Sequence, residues 1–204
     1  YSFNKKFLSK VTKILYKEGI DGIYLVDSAG GMLPNHVKIF TEEIKSVVND
    51  KFFVGFHGHN NLGLANANCL SAIDAGANII DSSLMGMGRS AGNAITEMLI
   101  AILDREKILK HKIDIQMIFD LIKNVIFPIY PKKTFDKDEI LIGKSYFHSS
   151  NYPQLLSFSK KLGLSADAIL QNFSFKKNTN FNELLKKKVF KLKNKTKKIK
   201  RKEI

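Results

Sequence analysis

Cysteine is almost missing from this chain: Cys69 is the only one in 204 residues, so no internal disulfide can staple the fold. A lone thiol suits a reducing compartment, and the cytoplasm is the expected setting. There is no tryptophan, and there are only four prolines. No stretch approaches the roughly 20 apolar residues that a bilayer span requires. No basic-then-apolar leader opens the sequence, so a membrane is not expected as a partner. Acidic residues are scarce at one end. Residues 186–204 hold eleven Lys or Arg against one Glu, a local +10 out of the overall +14. From Phe175 onward the chain is rich in Asn and Lys and buries little, so it reads as frayed helix or disorder. This tail lacks glycine-arginine repeats and has few aromatics. A solvated segment is therefore expected rather than a nucleic-acid-binding arm.

What is present is ordinary globular material, 44% apolar, in a repeating order. Phe3, Phe7, Val11, Ile14 and Leu15 recur at helical spacing. Ile23–Val26 is a short apolar run that predicts a buried strand, followed by a polar loop from Asp27 to Gly31. Pro34 opens a helix over 35–49. The cycle then repeats: strand 52–56, loop 57–61, helix 62–75, strand 79–82, loop 85–93, and a helix from Ala94. Such alternation implies parallel strands with helical crossovers. In sheets of that kind chemistry gathers at the C-terminal strand ends, where all three polar loops fall. The fold class expected is α/β: a (β/α)8 barrel in its C-terminal half only, over residues 1–110. A helical appendage is expected over 111–172 and a lysine-rich tail over 173–204. Within the appendage the sequence predicts helix over 113–127, an irregular stretch over 128–150, and two short helices broken near Gly163. Three strands do not close a barrel of eight and roughly 250 residues, so the remaining strands are expected upstream of Tyr1.

His57 and His59 are the sharpest chemical signal. Residues two apart on a strand point the same way, so both imidazoles can face one metal ion. Gly58 between them leaves the opposite face uncrowded. From spacing alone, a metal pair and two ordinary strand-end histidines are evenly balanced. The loop Gly86-Met-Gly-Arg-Ser-Ala-Gly-Asn93 has the spacing G-x-G-x-x-x-G, which departs from the dinucleotide fingerprint. It is either a tight strand-to-helix turn or a loop whose amides meet an anion. Asp27 reads as a turn cap. Glu97 reads as an acidic residue favoured by a helix N-terminus, and Cys69 as a packed core residue.

Three stretches together resemble one family: Val26-Asp-Ser-Ala-Gly30, Gly55-Phe-His-Gly-His-Asn-Asn-Leu-Gly-Leu-Ala-Asn-Ala-Asn68, and Ile80-Asp-Ser-Ser-Leu-Met-Gly-Met-Gly-Arg-Ser-Ala-Gly-Asn-Ala94. They are similar to the metal-dependent barrel lyases and acyl transferases that act on pyruvate-like substrates. The segments 142–150 and 162–170 resemble the C-terminal helical region of the 4-hydroxy-2-oxovalerate aldolases in particular.

The resemblance implies cleavage of a 4-hydroxy-2-oxo acid to pyruvate and an aldehyde. It implies Mn²⁺ or Mg²⁺ held by His57 and His59, with Asn93 close to the metal or bound to it. It implies keto-acid contacts from Ser28 and from His57. The third metal ligand, an aspartate, together with a catalytic arginine and a histidine base, would lie before Tyr1, so the isolated chain is expected to be inactive. The family's substrate-contacting tyrosine falls at His148, which is expected to bind substrate or relay a proton, and Tyr146 stands two residues away. A homodimer and an acylating aldehyde dehydrogenase partner are also implied. Two alternatives remain: an acyl-CoA condensing enzyme of the isopropylmalate synthase type, or an inactive fragment with a basic nucleic-acid-binding tail.

Overall fold

A computed structural model describes residues 4–109, 111–130 and 137–172. The lysine-rich tail and its expected disorder lie outside the described residues. Three β/α units come first. Helix α1 (Lys5–Lys17) is capped by Asn4, whose side chain accepts from Phe7 N at 3.2 Å. Strand β1 (Gly22–Asp27) leads to α2 (Pro34–Lys45), with Pro34 in the first turn. Strand β2 (Phe53–Gly58) leads to α3 (Ala65–Asp74), and β3 (Ile79–Ile80) leads to α4 (Thr96–Arg105). The strands are parallel in the order β1-β2-β3, as the alternation predicted.

The register puts Val26 beside His57 and Asp27 beside Gly58. Strand β2 therefore runs two residues further than its apolar pattern suggested, and His57 is a paired strand residue. Phe56 has no exposed surface and packs with Ala65, Cys69 and Leu99 between the sheet and its helices. The opposite sheet face is open: Tyr24, Val26 and Phe53 are each about half exposed.

Helix α1 corrects one expectation. Its predicted apolar stripe is not the face that packs, because Phe7 and Ile14 are exposed. Leu8 and Tyr16 meet the core, and Tyr16 stacks edge-on against Phe52 with ring centroids 5.5 Å apart.

A second core follows. Helix α5 (Ile115–Leu121) continues through one wide turn at Ile122–Ile126 into α6 (Phe127–Ile129). The wide turn lets the helical path run on through Pro128, which has no N–H to donate. The stretch expected to be irregular contains α7 (Lys137–Ser145), which corrects that reading. Asp138 and Glu139 sit in its first turn, where the dipole favours them, and Leu141 and Ile142 are buried. They pack with Phe147, Leu155 and Ile169 against α8 (Tyr152–Leu162) and α9 (Ala166–Asn172), which part at Gly163 as predicted. Helix α7 closes onto the C-terminal end of the sheet through two glycines. A Cβ on Gly31 would lie 2.4 Å from the Gly143 carbonyl oxygen, and one on Gly143 would lie 2.8 Å from Asn61 Cβ.

Replacing Phe56 with Ala should lower the unfolding free energy by about 3–5 kcal/mol, as expected for a fully buried ring. Urea denaturation measures it, and a loss under about 1 kcal/mol would contradict the packing described.

Candidate active site

The sheet's C-terminal end brings together His57, His59 and Asn93, with Ser28 in the loop after β1 and His148 in the segment after α7, the helix that closes on that end. The two histidine rings are 5.3 Å apart between centroids, with planes near perpendicular. Their proximity follows from strand geometry. Gly58 between them is buried, and a Cβ there would lie 2.8 Å from the Phe56 ring. The glycine thus lets a core phenylalanine and a histidine pair share one strand.

Each imidazole is oriented by its second nitrogen. His57 Nδ1 is 3.2 Å from Asp81 Oδ2, and His59 Nδ1 is 3.2 Å from the Gly92 carbonyl oxygen. Both partners accept, so both Nδ1 atoms carry the proton and both Nε2 atoms keep a free lone pair. That is the arrangement a metal-ligating histidine needs. Asp81 is itself held by the Tyr24 hydroxyl. Burial lowers the His59 pKa, and the charges of His57 and Arg89 lower it further against the pull of the Gly92 and Arg89 backbone, so the ring favours its neutral form.

Asn93 joins this pair through backbone bridging with His59. Its Nδ2 donates to the Met87 carbonyl at 2.9 Å, while its Oδ1 is buried without a hydrogen-bond partner. A buried acceptor left unpaired costs about 1–3 kcal/mol unless something binds it. Two imidazole nitrogens and an amide oxygen suit a divalent ion of the Mn²⁺ or Mg²⁺ kind. Among the described residues no group of three or more His, Cys, Asp or Glu side chains converges as a metal site, so the histidine pair has no third ligand of those types beside it.

His148 precedes the turn at Ser149–Asn151, and its Nδ1 accepts from Ser150 N at 3.2 Å. A backbone N–H can only donate, so the His148 proton sits on Nε2, and the ring presents a donor. Burial and the Arg89 charge lower its pKa and keep it neutral. Tyr146 takes a left-handed backbone with φ 55°. Its ring packs over Gly31, and burial and the Asp27 carboxylate raise its hydroxyl pKa.

Sequence reasoning missed the asparagines as struts. Asn60 Oδ1 accepts from Ala65 N at 3.1 Å and caps α3. Asn61 Nδ2 reaches Ser90 Oγ at 2.8 Å and the Glu139 carbonyl at 3.0 Å. Asn66 brackets the Ile95 backbone with two bonds of 2.9 Å, and Asn68 donates to the Met32 carbonyl at 2.9 Å. The signal available was the density of asparagine itself in 60–68. Glu97, read as a dipole residue, also accepts from Met85 N with both oxygens, at 3.2 and 3.1 Å. Asp27 is fully buried and accepts from Gly31 N at 3.2 Å and Met32 N at 2.8 Å, so it orders the loop that presents half-buried Ser28. Burial raises its pKa against the pull of these N–H groups.

A β/α barrel segment with a histidine pair at its strand ends defines a class, and the comparisons place the chain within it. Residues 2–125 match the HMGL-like family model. The chain belongs to the HMGL-like family. It is 39% identical over 166 residues to the 4-hydroxy-2-oxovalerate aldolase of Roseiflexus sp. (strain RS-1), covering 81% of this chain and 48% of that protein. It is 38% identical to the same-named enzyme of Geobacillus stearothermophilus, covering 80% of this chain and 47% of that one. The chain thus spans just under half the length of these relatives. Among solved structures it resembles the N-terminal domain of a putative aldolase from Bacteroides vulgatus, with TM-score 0.63 and 31% identity over 76% of this chain and 50% of that one. It also resembles an HMG-CoA lyase from Acenitobacter baumannii, with TM-score 0.56 and 26% identity over 66% of this chain and 45% of that one. The fold expected from the sequence, a partial α/β barrel with a helical C-terminal part, is borne out.

Substituting Asp27 with Ala should strip acceptors from at least two buried N–H groups and cost about 2–4 kcal/mol. A thermal-unfolding midpoint unchanged from the parent would contradict the role given to this carboxylate.

Proposed function

We propose that this chain is the histidine-bearing part of a metal-dependent aldolase that cleaves a 4-hydroxy-2-oxo acid to pyruvate and an aldehyde. The observation that carries the reading is the paired tautomer: His57 and His59 both turn a free Nε2 to one face, beside the unpaired Oδ1 of Asn93. The similarity to enzymes named 4-hydroxy-2-oxovalerate aldolase supports the substrate class. In this reading His57, His59 and Asn93 hold Mn²⁺ or Mg²⁺, and a divalent ion there supplies Lewis-acid chemistry toward the oxygens of a 2-oxo acid.

The chain's own residues do the positioning. Asp81 and the Gly92 carbonyl fix the two ring orientations. Ser28, presented by the Asp27-ordered loop, contacts the keto acid. Helix α7 covers the strand ends and excludes water, which strengthens every polar contact beneath it. His148 offers its Nε2–H to the substrate, a donor in the position where the aldolases carry a tyrosine hydroxyl, and so can hand on a proton there.

The division into a catalytic portion over 1–110 and a helical region over 111–172 belongs to the same proposal. So does a homodimer built through the helical region. Ile113, Met117, Leu121, Val125 and Ile129 recur every four residues there and are all exposed, a ridge suited to helix packing. An acylating aldehyde dehydrogenase would take the aldehyde product. A cytoplasmic setting fits the buried Cys69, whose thiol burial pushes up to about 12. Among the described residues no helix is long and apolar enough to cross a membrane.

Pyruvate release by the full-length enzyme with added Mn²⁺, followed by a coupled lactate dehydrogenase assay, tests the reading. His57→Ala and His59→Ala should each abolish metal-dependent release, and undiminished turnover in either would sink the assignment. His148→Tyr should keep most of the rate, whereas His148→Ala should lose about tenfold or more. Equal loss in both would refute the donor role. Because burial and Arg89 hold His148 neutral, the acidic limb it governs should lie below the usual histidine range near 6.5. An acidic limb above that range would contradict the assignment.

A further inference from the structure

The two histidines are oriented by unlike partners. The Gly92 carbonyl that holds His59 is backbone, and Asn60 N fixes it in turn at 2.9 Å. Asp81, which holds His57, is a partly exposed side chain. A carboxylate can turn about its own side-chain bonds unless a further group restrains it. That group comes from the far side of β2.

The strand register shows how. Tyr24 lies opposite Gly55, Val26 opposite His57, and Gly55 opposite Ile79. Paired residues share a face of the sheet, and so do residues two apart on one strand. Asp81 N donates to the Phe56 carbonyl at 3.0 Å, which carries the pairing with β2 one residue past β3. Tyr24, Gly55, His57 and Asp81 therefore share one face, opposite to that of the Phe56 ring. Tyr24 belongs to β1 and Asp81 follows β3, so the whole width of β2 separates their backbones, roughly 9–10 Å at ordinary strand spacing.

Gly55 makes the crossing possible. A Cβ there would lie 2.5 Å from Tyr24 Cδ1 and Cε1 and 2.7 Å from Cζ. The Tyr24 ring thus lies across the glycine, and its hydroxyl donates to the Asp81 carboxylate. Asp81 accepts from Tyr24 on one side and from His57 Nδ1 on the other. A phenylalanine would fill the same bed over Gly55, so the hydroxyl is the informative atom.

We propose that Tyr24 is a positioning residue for the metal centre, acting on His57 through Asp81. The chain of Tyr24 hydroxyl, Asp81 carboxylate and His57 Nδ1–H keeps the His57 Nε2 lone pair turned to the face it shares with His59. Tyr24 touches neither His57 nor the ion in this arrangement. The inference rests on the reading of His57 and His59 as ligands of one divalent ion. Partners of this kind orient a ligating imidazole and raise its basicity, and losing one costs about 10–100-fold in metal affinity.

The test uses the full chain and Tyr24→Phe, with two readouts. Calorimetric titration with Mn²⁺ should show affinity about tenfold weaker than the parent's. Long-range proton–nitrogen NMR correlation of the metal-free chain should show His57 protonated on Nδ1 in the parent. In Tyr24→Phe it should shift toward the Nε2–H form while His59 stays as it was. Asp81→Asn should weaken Mn²⁺ binding on its own, and adding Tyr24→Phe to it should cost little more, because the two act in series. Parent-like Mn²⁺ affinity and His57 tautomer in Tyr24→Phe would overturn the proposal. So would a change shared equally by His57 and His59, which marks general loosening, and so would losses that simply add in the double variant. If the parent chain itself fails to bind Mn²⁺, the metal reading falls, an outcome seen without any variant and therefore distinct from failure of the Tyr24 chain.

Discussion

The bond from His59 Nδ1 to the Gly92 carbonyl, 3.2 Å long, ties the end of β2 to the loop before α4. Much of the site hangs on it. It sets the His59 tautomer, and it holds the glycine-rich loop against the strand. That loop delivers Asn93 beside His59. The matching contact of His57 with Asp81 does the same for the other ring from β3. Two strands and one loop thus converge on two nitrogen atoms, and each partner is an acceptor that leaves Nε2 free. A site organised this way is preorganised before any ligand arrives, because one orienting group is a backbone carbonyl and the other is a carboxylate held in turn by the Tyr24 hydroxyl.

The asparagines show how the loops bear that arrangement. A strand-end loop has backbone groups that no ladder satisfies, and each needs a partner. Asn60, Asn61, Asn66 and Asn68 supply donors and acceptors to five partner residues: Ala65, Ser90, Glu139, Ile95 and Met32. Asn61 is the broadest, since it links the loop of Ser90 to the first turn of α7. This is why the helical region cannot be regarded as a mere appendage: its position over the site and the shape of the Arg89 loop share one amide group. The glycines at 31 and 143 permit the same close approach from the other side.

Much of the fold was legible in the residues. Strand-helix alternation marked the three parallel units, and Pro34 and Gly163 marked a helix start and a helix break. The histidine pair was legible from its spacing of two, although spacing alone left an ordinary pair equally open. What decided the matter was the partner of each Nδ1, and Asp81 and Gly92 are more than twenty residues away in sequence. The same limit explains α1. Its apolar residues have helical period on more than one face, and only packing against the sheet decides that Leu8 and Tyr16 turn inward. Helix α7 was hidden behind two prolines that read as breakers, yet Asp138, Glu139 and the Ile140-Leu141-Ile142 run were already a first-turn and core signal. The asparagine struts were unreadable because a side-chain amide bonded to a distant backbone leaves no periodicity.

The central claim is that His57 and His59 bind one divalent ion through their Nε2 atoms. Pulsed electron paramagnetic resonance of the Mn²⁺-loaded chain reads directly bound imidazole nitrogen through its nuclear modulation. The account predicts modulation from two histidine nitrogens, reduced to one in His57→Ala and in His59→Ala alike. Mn²⁺ that binds tightly but shows no histidine nitrogen coupling would contradict it.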